Sequence, residues 1–302
     1  AVPMFIFMGT MLEKSGVATD LLHCLQVLLK RTPGGLALSV TIMGTIMAAT
    51  TGIIGASVVM MSLLALPVML ERGYQVQLAT GTIAASATLG ILIPPSIMLV
   101  IMADQLALSV GDLFTAAVFP GLMLGVVYLA YILGLSYFKP EVAPAPKDRR
   151  PLDLKVLIQV FRAILPPVML IIAVLGSIFA GIATPTEASG VGAFGATLLA
   201  IYNKRFSIPV LKEVVGGTMN TTAYIFAIFI GATCFALVLR ELGGDEMIES
   251  FLTGLPFGPY GIIFFILGVI FLLGFFLDWI EITLIILPLL APVISALGLD
   301  IS

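Results

Sequence analysis

Apolar residues run along this chain in long stretches, and the breaks between them fall at glycine, proline and short charged clusters. Residues 1–12 form one stretch, closed by Glu13, Lys14, Ser15 and Gly16. Over 17–30, Leu21, Leu22, Leu25, Leu28 and Leu29 recur at helical spacing beside Asp20, Gln26 and Lys30. That pattern predicts an amphipathic helix at a membrane interface. Residues 36–49 are apolar for only about half the length that a span needs. A glycine-rich break follows at 50–57, then a second short apolar stretch at 58–70, closed by Glu71, Arg72 and Gly73. Two half-length helices around a glycine tip predict a re-entrant hairpin over 36–70. Such a loop is tolerated at membrane depth only where protein or a water-filled cavity satisfies its backbone.

Residues 78–103 are long enough to span, but Gly90 and Pro94-Pro95-Ser96 sit near the middle. Proline removes a backbone donor and obstructs the preceding turn, so this span is predicted to break there. An ordinary span follows at 112–138. A polar linker at 139–155 then gives the one clear shift in composition. After an amphipathic stretch at 154–162, spans are predicted at 163–181, 188–203 and 217–240. An acidic interfacial helix (243–254) and a glycine-broken hairpin (259–295) complete the pattern. Thr184-Pro185-Thr186-Glu187 reads as a helix start, with Thr184 as N-cap, Pro185 at the first position and Glu187 closing a capping box. A direct part in transport is the alternative.

Composition turns this pattern into a class. Of the 302 residues, 60% are hydrophobic and 10% charged, too few charges to cover a soluble domain of this size. Lipid is therefore the solvent, and the chain is expected to be an all-α, multi-pass membrane protein. No basic run suggests nucleic acid, and Cys24 and Cys234 lack metal-ligand spacing. The chain opens inside an apolar stretch and closes just after another, which reads as a piece of a longer protein with further spans on both sides. Lys30 and Arg31, Arg72, the linker, and Lys204, Arg205 and Lys212 are expected on the cytoplasmic side by the positive-inside rule. The acidic segment 240–255 then falls outside, provided 36–70 is a hairpin.

The two halves resemble each other. Leu12, Gly16 and Leu25 align with Leu239, Gly243 and Leu252 at an offset of 227. Ser57 and Pro67 align with Asp278 and Pro288 at an offset of 221. The predicted organisation is a first inverted repeat at 1–138, a cytoplasmic linker at 139–155 and a second, incomplete repeat at 156–302. Inverted repeats with helices broken near the midplane are a common design among secondary transporters.

Broken helices expose backbone carbonyls that can replace a cation's hydration shell, and half-helix N-termini that face an anion. The first tip supplies Gly52, Gly55, Ala56 and Ser57. The broken span supplies Ser86, Thr88, Gly90, Pro94, Pro95 and Ser96. At the second tip, Asp278, Trp279, Glu281 and Thr283 stand inside a strongly apolar stretch. A carboxylate there is costly, which points to a cation ligand or a proton carrier. Glu281 facing a wet vestibule is the plainer alternative. Candidate cation ligands are Gly52, Gly55, Ala56, Ser57, Gly90, Pro94, Asp278 and Glu281. Candidate substrate contacts are Ser57, Thr88, Pro95, Ser96 and Thr283. Asp104 reads as a solvated helix end, and His23 as a bystander on the interfacial helix.

Five stretches carry a family resemblance: Phe5-Ile6-Phe7-Met8-Gly9, Gly55-Ala56-Ser57, Leu66-Pro67-Val68-Met69-Leu70-Glu71-Arg72-Gly73-Tyr74, Thr88-Leu89-Gly90-Ile91-Leu92-Ile93-Pro94-Pro95-Ser96 and Ala183-Thr184-Pro185-Thr186-Glu187-Ala188. Together they resemble the large, DctM-type membrane subunit of TRAP transporters. Within that family the chain is most similar to the branch associated with mannitol or chloroaromatic compounds. The resemblance implies an elevator-type, sodium-coupled importer of organic acids in the bacterial inner membrane. It implies a small DctQ-type membrane subunit and a periplasmic, DctP-type substrate-binding protein as partners, with sodium as coupling ion and no cofactor. It also implies that Gly55-Ala56-Ser57 and the Gly90-to-Pro95 break share one sodium site, and that the Asp278 region contributes to a second. Asp278-Trp279-Ile280-Glu281 departs from the small, glycine-containing tip expected of many members, and the second proline-type break would follow residue 302. Other readings are a proton-coupled or different organic-anion carrier, or a channel or non-transporting scaffold. An intramembrane hydrolase finds no support, since Gly-x-Ser-x-Gly and His-Glu-x-x-His are both missing.

Overall fold

The computed structural model describes residues 1–51, 54–144 and 154–296; at a few helix positions, Ala56 among them, it defines only the backbone. Every regular element among them is helical. In order these are α1 (Val2–Lys14), α2 (Val17–Leu28), α3 (Gly35–Thr51), α4 (Ile54–Glu71), α5 (Val76–Leu92), α6 (Ile97–Gln105) and α7 (Val110–Phe138). After the linker come α8 (Leu154–Phe179), α9 (Pro185–Tyr202), α10 (Ile208–Glu241), α11 (Gly244–Thr253), α12 (Pro259–Leu273) and α13 (Trp279–Glu281). A π-helical turn (Ile282–Ile286) then leads into α14 (Leu287–Ala296).

Among the described residues three helices are long and apolar enough to cross a bilayer, α7, α10 and the part of α8 from Val160. The broken pair α5–α6 makes a fourth if taken as one span. Little of their apolar length is covered by protein, so lipid is its natural surrounding. α9, diluted by glycines and by the polar residues of its cap, is not among them. The structure differs from the sequence pattern in where helices join. The amphipathic stretch 154–162 continues into the span as one helix, and α10 begins at Ile208 rather than 217. At 34 residues α10 is about 51 Å long, well beyond a hydrocarbon core of about 30 Å. The break expected over 50–57 is also narrower, because α3 runs to Thr51 and α4 starts at Ile54. The helix penalties of Thr51 and Gly55 are modest, too small by themselves to stop a helix.

The chain forms two compact units, interleaved in sequence. The first comprises Ala1–Leu99 and Phe114–Met219, the second Val100–Leu113 and the chain from Asn220 onward. In the first unit α3 packs along α5 and α4, α1 along α9, and α2 against α8 and α3. The core is rich in methionine, with Met43, Met47, Met61 and Met69 fully buried beside Leu21, Leu36 and Ala79. The apolar stripe of α2 (Val17, Ala18, Leu21, Leu22, Leu25) is buried in this core rather than left for lipid. In the second unit Leu252, Ile262, Ile266 and Val293 form a smaller cluster joining α11, α12 and α14.

Two glycines aligned in sequence share a backbone geometry. Gly16 joins α1 to α2 at φ +79°, and Gly243 joins α10 to α11 at φ +77°. Both occupy the left-handed region, where a Cβ is strained. The start of α9 carries the full capping box. The Thr184 backbone N–H and hydroxyl both donate to Glu187 Oε2 at 2.8 Å, and the Glu187 N–H donates to Thr184 Oγ at 3.3 Å. These bonds hold the Glu187 carboxyl below its usual range.

Candidate functional site

In the first unit the polar chemistry gathers where α5 stops. Ile93 turns to extended backbone (ψ 120°), and its N–H donates to the Leu89 carbonyl. Pro94 and Pro95, joined by a cis peptide, have no N–H, so the Gly90 and Ile91 carbonyls lose the donors a continuous helix would give them. Ser96 restores one of these bonds, its hydroxyl donating to the Ile91 carbonyl at 2.6 Å. Gly90, Pro94, Pro95 and Ser96 are all buried. Gly121 of α7 faces the break, and a Cβ there would lie 2.9 Å from Ile93 Cγ1. Only glycine lets α7 come this near.

A ladder of hydroxyls runs from the break along α3 and α5. Ser86 donates to Thr41 Oγ at 3.2 Å, and Thr41 donates to the Ala37 carbonyl at 3.1 Å. Thr45 donates to the Thr41 carbonyl, and Thr88 to the Ala85 carbonyl, both at 2.8 Å. Each hydroxyl directs its proton to a neighbouring oxygen and keeps lone pairs for a further partner. α3 and α5 come together closely here. A Cβ on Gly44 would lie 2.7 Å from Ser86 Cβ and 2.8 Å from Met61 Cε. Ser57 is buried in the first turn of α4. Gly55, one turn-start earlier, is exposed, with open space where a Cβ would stand. Gly52 and the Ala56 side chain lie outside the described residues.

The other ends of α3 and α4 are fastened by Tyr74. Its buried phenol oxygen accepts the Leu36 N–H at 3.2 Å, satisfying one of the free donors at the start of α3. Burial pushes the Tyr74 phenol above its usual range. Neither Tyr74 nor the Thr41–Ser86 bond was among the sequence candidates, although hydroxyls at 39, 41 and 45 in an apolar helix were a legible signal.

In the second unit Asp278 ends the turn after α12 and caps α13. Its Oδ1 accepts the Trp279 N–H at 2.8 Å, and the side chain is exposed. Glu281 is half-buried, and its Oε2 is buried with no hydrogen-bond partner among the described residues. Thr283 is buried and donates to the Trp279 carbonyl at 2.7 Å. The π-helical turn begins right after Glu281. Such turns are rare and concentrate at functional sites. Asp278 thus has a local capping role, and Glu281 holds the unsatisfied oxygen. Among the described residues no three His, Cys, Asp or Glu side chains come together as metal ligands would. The break offers backbone and hydroxyl oxygens, and the second tip carboxylate and hydroxyl oxygens.

Comparison with known proteins bears on all of this. The family profile for the tripartite ATP-independent periplasmic transporter, DctM component, matches residues 1–301. A C4-dicarboxylate TRAP transporter large permease protein of Pseudomonas aeruginosa is 31% identical, over 99% of this chain and 69% of its own length. A sialic acid TRAP transporter large permease of Vibrio cholerae is 29% identical, over 99% and 69%. An ectoine/5-hydroxyectoine TRAP transporter large permease of Ruegeria pomeroyi is 28% identical, again over 99% and 69%.

Proposed function

The chain belongs to the DctM family of tripartite ATP-independent periplasmic transporters, and from that premise we propose that it carries a small organic anion inward, coupled to sodium. The observation that carries the sodium reading is the Glu281 Oε2 atom, buried without a donor in an apolar segment. A buried carboxylate oxygen without a hydrogen bond is costly unless a cation faces it. Asp278 lies one helical turn away and adds charge to the same region. In the first unit, the Gly90 carbonyl and the oxygens of Ser57 and Ser96 are the proposed ligands of a further sodium. Thr88 and Pro95 of the first unit are assigned to the substrate, with Ser57 and Ser96 shared.

The inward-facing and outward-facing hairpins, the inverted repeat and the elevator movement are part of this reading. What supports them is the matched glycine geometry at 16 and 243. A small membrane subunit and a periplasmic binding protein complete the system, placed in the bacterial inner membrane. The relatives' substrates range from C4-dicarboxylates to ectoine, so the anion reading rests on the family resemblance; with almost no Lys or Arg in the apolar segments, such an anion would be held by helix dipoles and hydroxyls.

The test needs no substrate. Purified full-length protein is melted in sodium chloride and in potassium chloride across a concentration series, at pH 6 and at pH 8. Sodium should raise the melting temperature and potassium should not; at a hundredfold excess over Kd the stabilisation is about 2.7 kcal/mol. Glu281→Gln should weaken the sodium effect most, and Asp278→Asn less. Equal stabilisation by the two salts, or a proton-dependent shift without a sodium effect, would refute sodium coupling.

A further inference from the structure

A groove of about 610 Å³ runs between α5 and α7 in the first unit, lined at one end by Ser86 and Thr41. It extends from Gln75 to Ser86 along α5 and from Lys139 back to Val127 along α7. Eleven residues of helix give it a length of about 16 Å, half the hydrocarbon thickness of a bilayer. Its mouth carries Gln75, Gln77 and Lys139, and none of the described residues that line it is acidic. Its walls are apolar and aromatic, with Tyr128 half-buried and Tyr131 64% exposed. Partway down, Thr82 is 5% exposed and its hydroxyl has no hydrogen-bond partner among the described residues.

We propose that this groove binds one anionic phospholipid, its phosphate on Lys139 and the two glutamines and one acyl chain laid against Tyr131 and Val127. Several observations fix the occupant. The one charged residue among the described residues lining it, Lys139, is positive. Thr82 lies seven residues along α5 from Gln75, about 10 Å in, and its orphaned hydroxyl would donate to an ester carbonyl of the lipid. Tyrosines favour the membrane interface, where an apolar ring meets a polar boundary. α7, one wall of the groove, is a candidate span with little protein cover, so the bilayer is the natural reservoir.

Gly81 makes the proposal testable. It lines the groove, and a Cβ on it would meet nothing within 4 Å. Gly81→Leu therefore fills the space without disturbing the helix. Full-length protein is reconstituted with diazirine-bearing phosphatidylglycerol or phosphatidylcholine, irradiated, and the labelled peptides are mapped by mass spectrometry. The peptide holding Tyr128 and Tyr131 should take about fivefold more label from phosphatidylglycerol, the factor that one lysine near an anionic headgroup supplies. Lys139→Gln should bring the two lipids level. Gly81→Leu should abolish labelling there and leave labelling on α10 unchanged. Equal labelling by both lipids in the wild type, or full labelling of the Gly81→Leu variant, would overturn the proposal. So would displacement of the label by millimolar succinate, which would place a soluble acid in the groove.

Discussion

The approach of α3 to α5 at Gly44 sets a steric limit that a single methyl group tests. An alanine Cβ there would stand 2.7 Å from Ser86 Cβ and 2.8 Å from the Met61 methyl. Carbon pairs settle at about 3.5–4.0 Å, so the two helices would have to part by about 1 Å. The Met61 methyl, at the end of a flexible chain, can swing aside; Ser86 Cβ, fixed to the α5 backbone, cannot. Overpacking of this kind costs about 1–3 kcal/mol. Against it stands the gain of about 1 kcal/mol when alanine replaces glycine inside a helix. Gly81→Ala isolates the two terms, because that position offers the same gain and open space. The stability difference between Gly81→Ala and Gly44→Ala should therefore be about 1–3 kcal/mol, read by detergent-titrated unfolding of the purified protein. Parting the helices also breaks the Ser86–Thr41 bond, so Gly44→Ala should impair transport where Gly81→Ala does not. Adding Ser86→Gly removes the opposing atom, and the double variant should beat the sum of the singles by about 1 kcal/mol. If Gly44→Ala proves as stable as Gly81→Ala, the close packing described here is wrong.

Two further substitutions test local features. Thr184→Ala removes the cap of α9 and should cost about 1 kcal/mol at neutral pH. Because the Glu187 pKa is lowered on folding, its contribution is fully present above the usual 4.5 and is lost as the pH falls through the lowered value. The variant should accordingly show a flatter stability profile in acid, and an unchanged profile would remove Glu187 from the cap. Tyr74→Phe keeps the ring but leaves the buried Leu36 N–H unsatisfied, at a cost of about 1–3 kcal/mol. Unaltered thermal stability of that variant would show that Tyr74 does not fasten α3.

What the sequence revealed depended on the range of the interaction. The break at Pro94-Pro95 and the capping box at Thr184 are written in consecutive residues, because missing donors and caps act within one turn. The left-handed joints at Gly16 and Gly243 were legible as aligned glycines at helix boundaries. Helix continuity was harder, since Gly216 and Gly217 suggest a boundary at 217 and yet lie inside α10. Their local penalty is small beside the demand that every backbone group in lipid be bonded. The contacts between helices were not legible at all. Gly44 against Ser86 and Tyr74 against Leu36 join residues 42 and 38 positions apart, and no local pattern announces them. At the second tip the sequence favoured Asp278 over Glu281, and only the coordinates separate a capping carboxyl from an unsatisfied one.

The π-helical turn at Ile282–Ile286 holds one residue more than an α-helix would use for the same rise. It is in effect a reserve of register. Drawing that surplus residue out would let the segment continue as unbroken α-helix, with every backbone bond remade one position along. Everything before the turn would then rotate against α14 by one residue's step, about 100°. Glu281 sits at the edge of that turn, so the same slip would swing its carboxyl off its buried face.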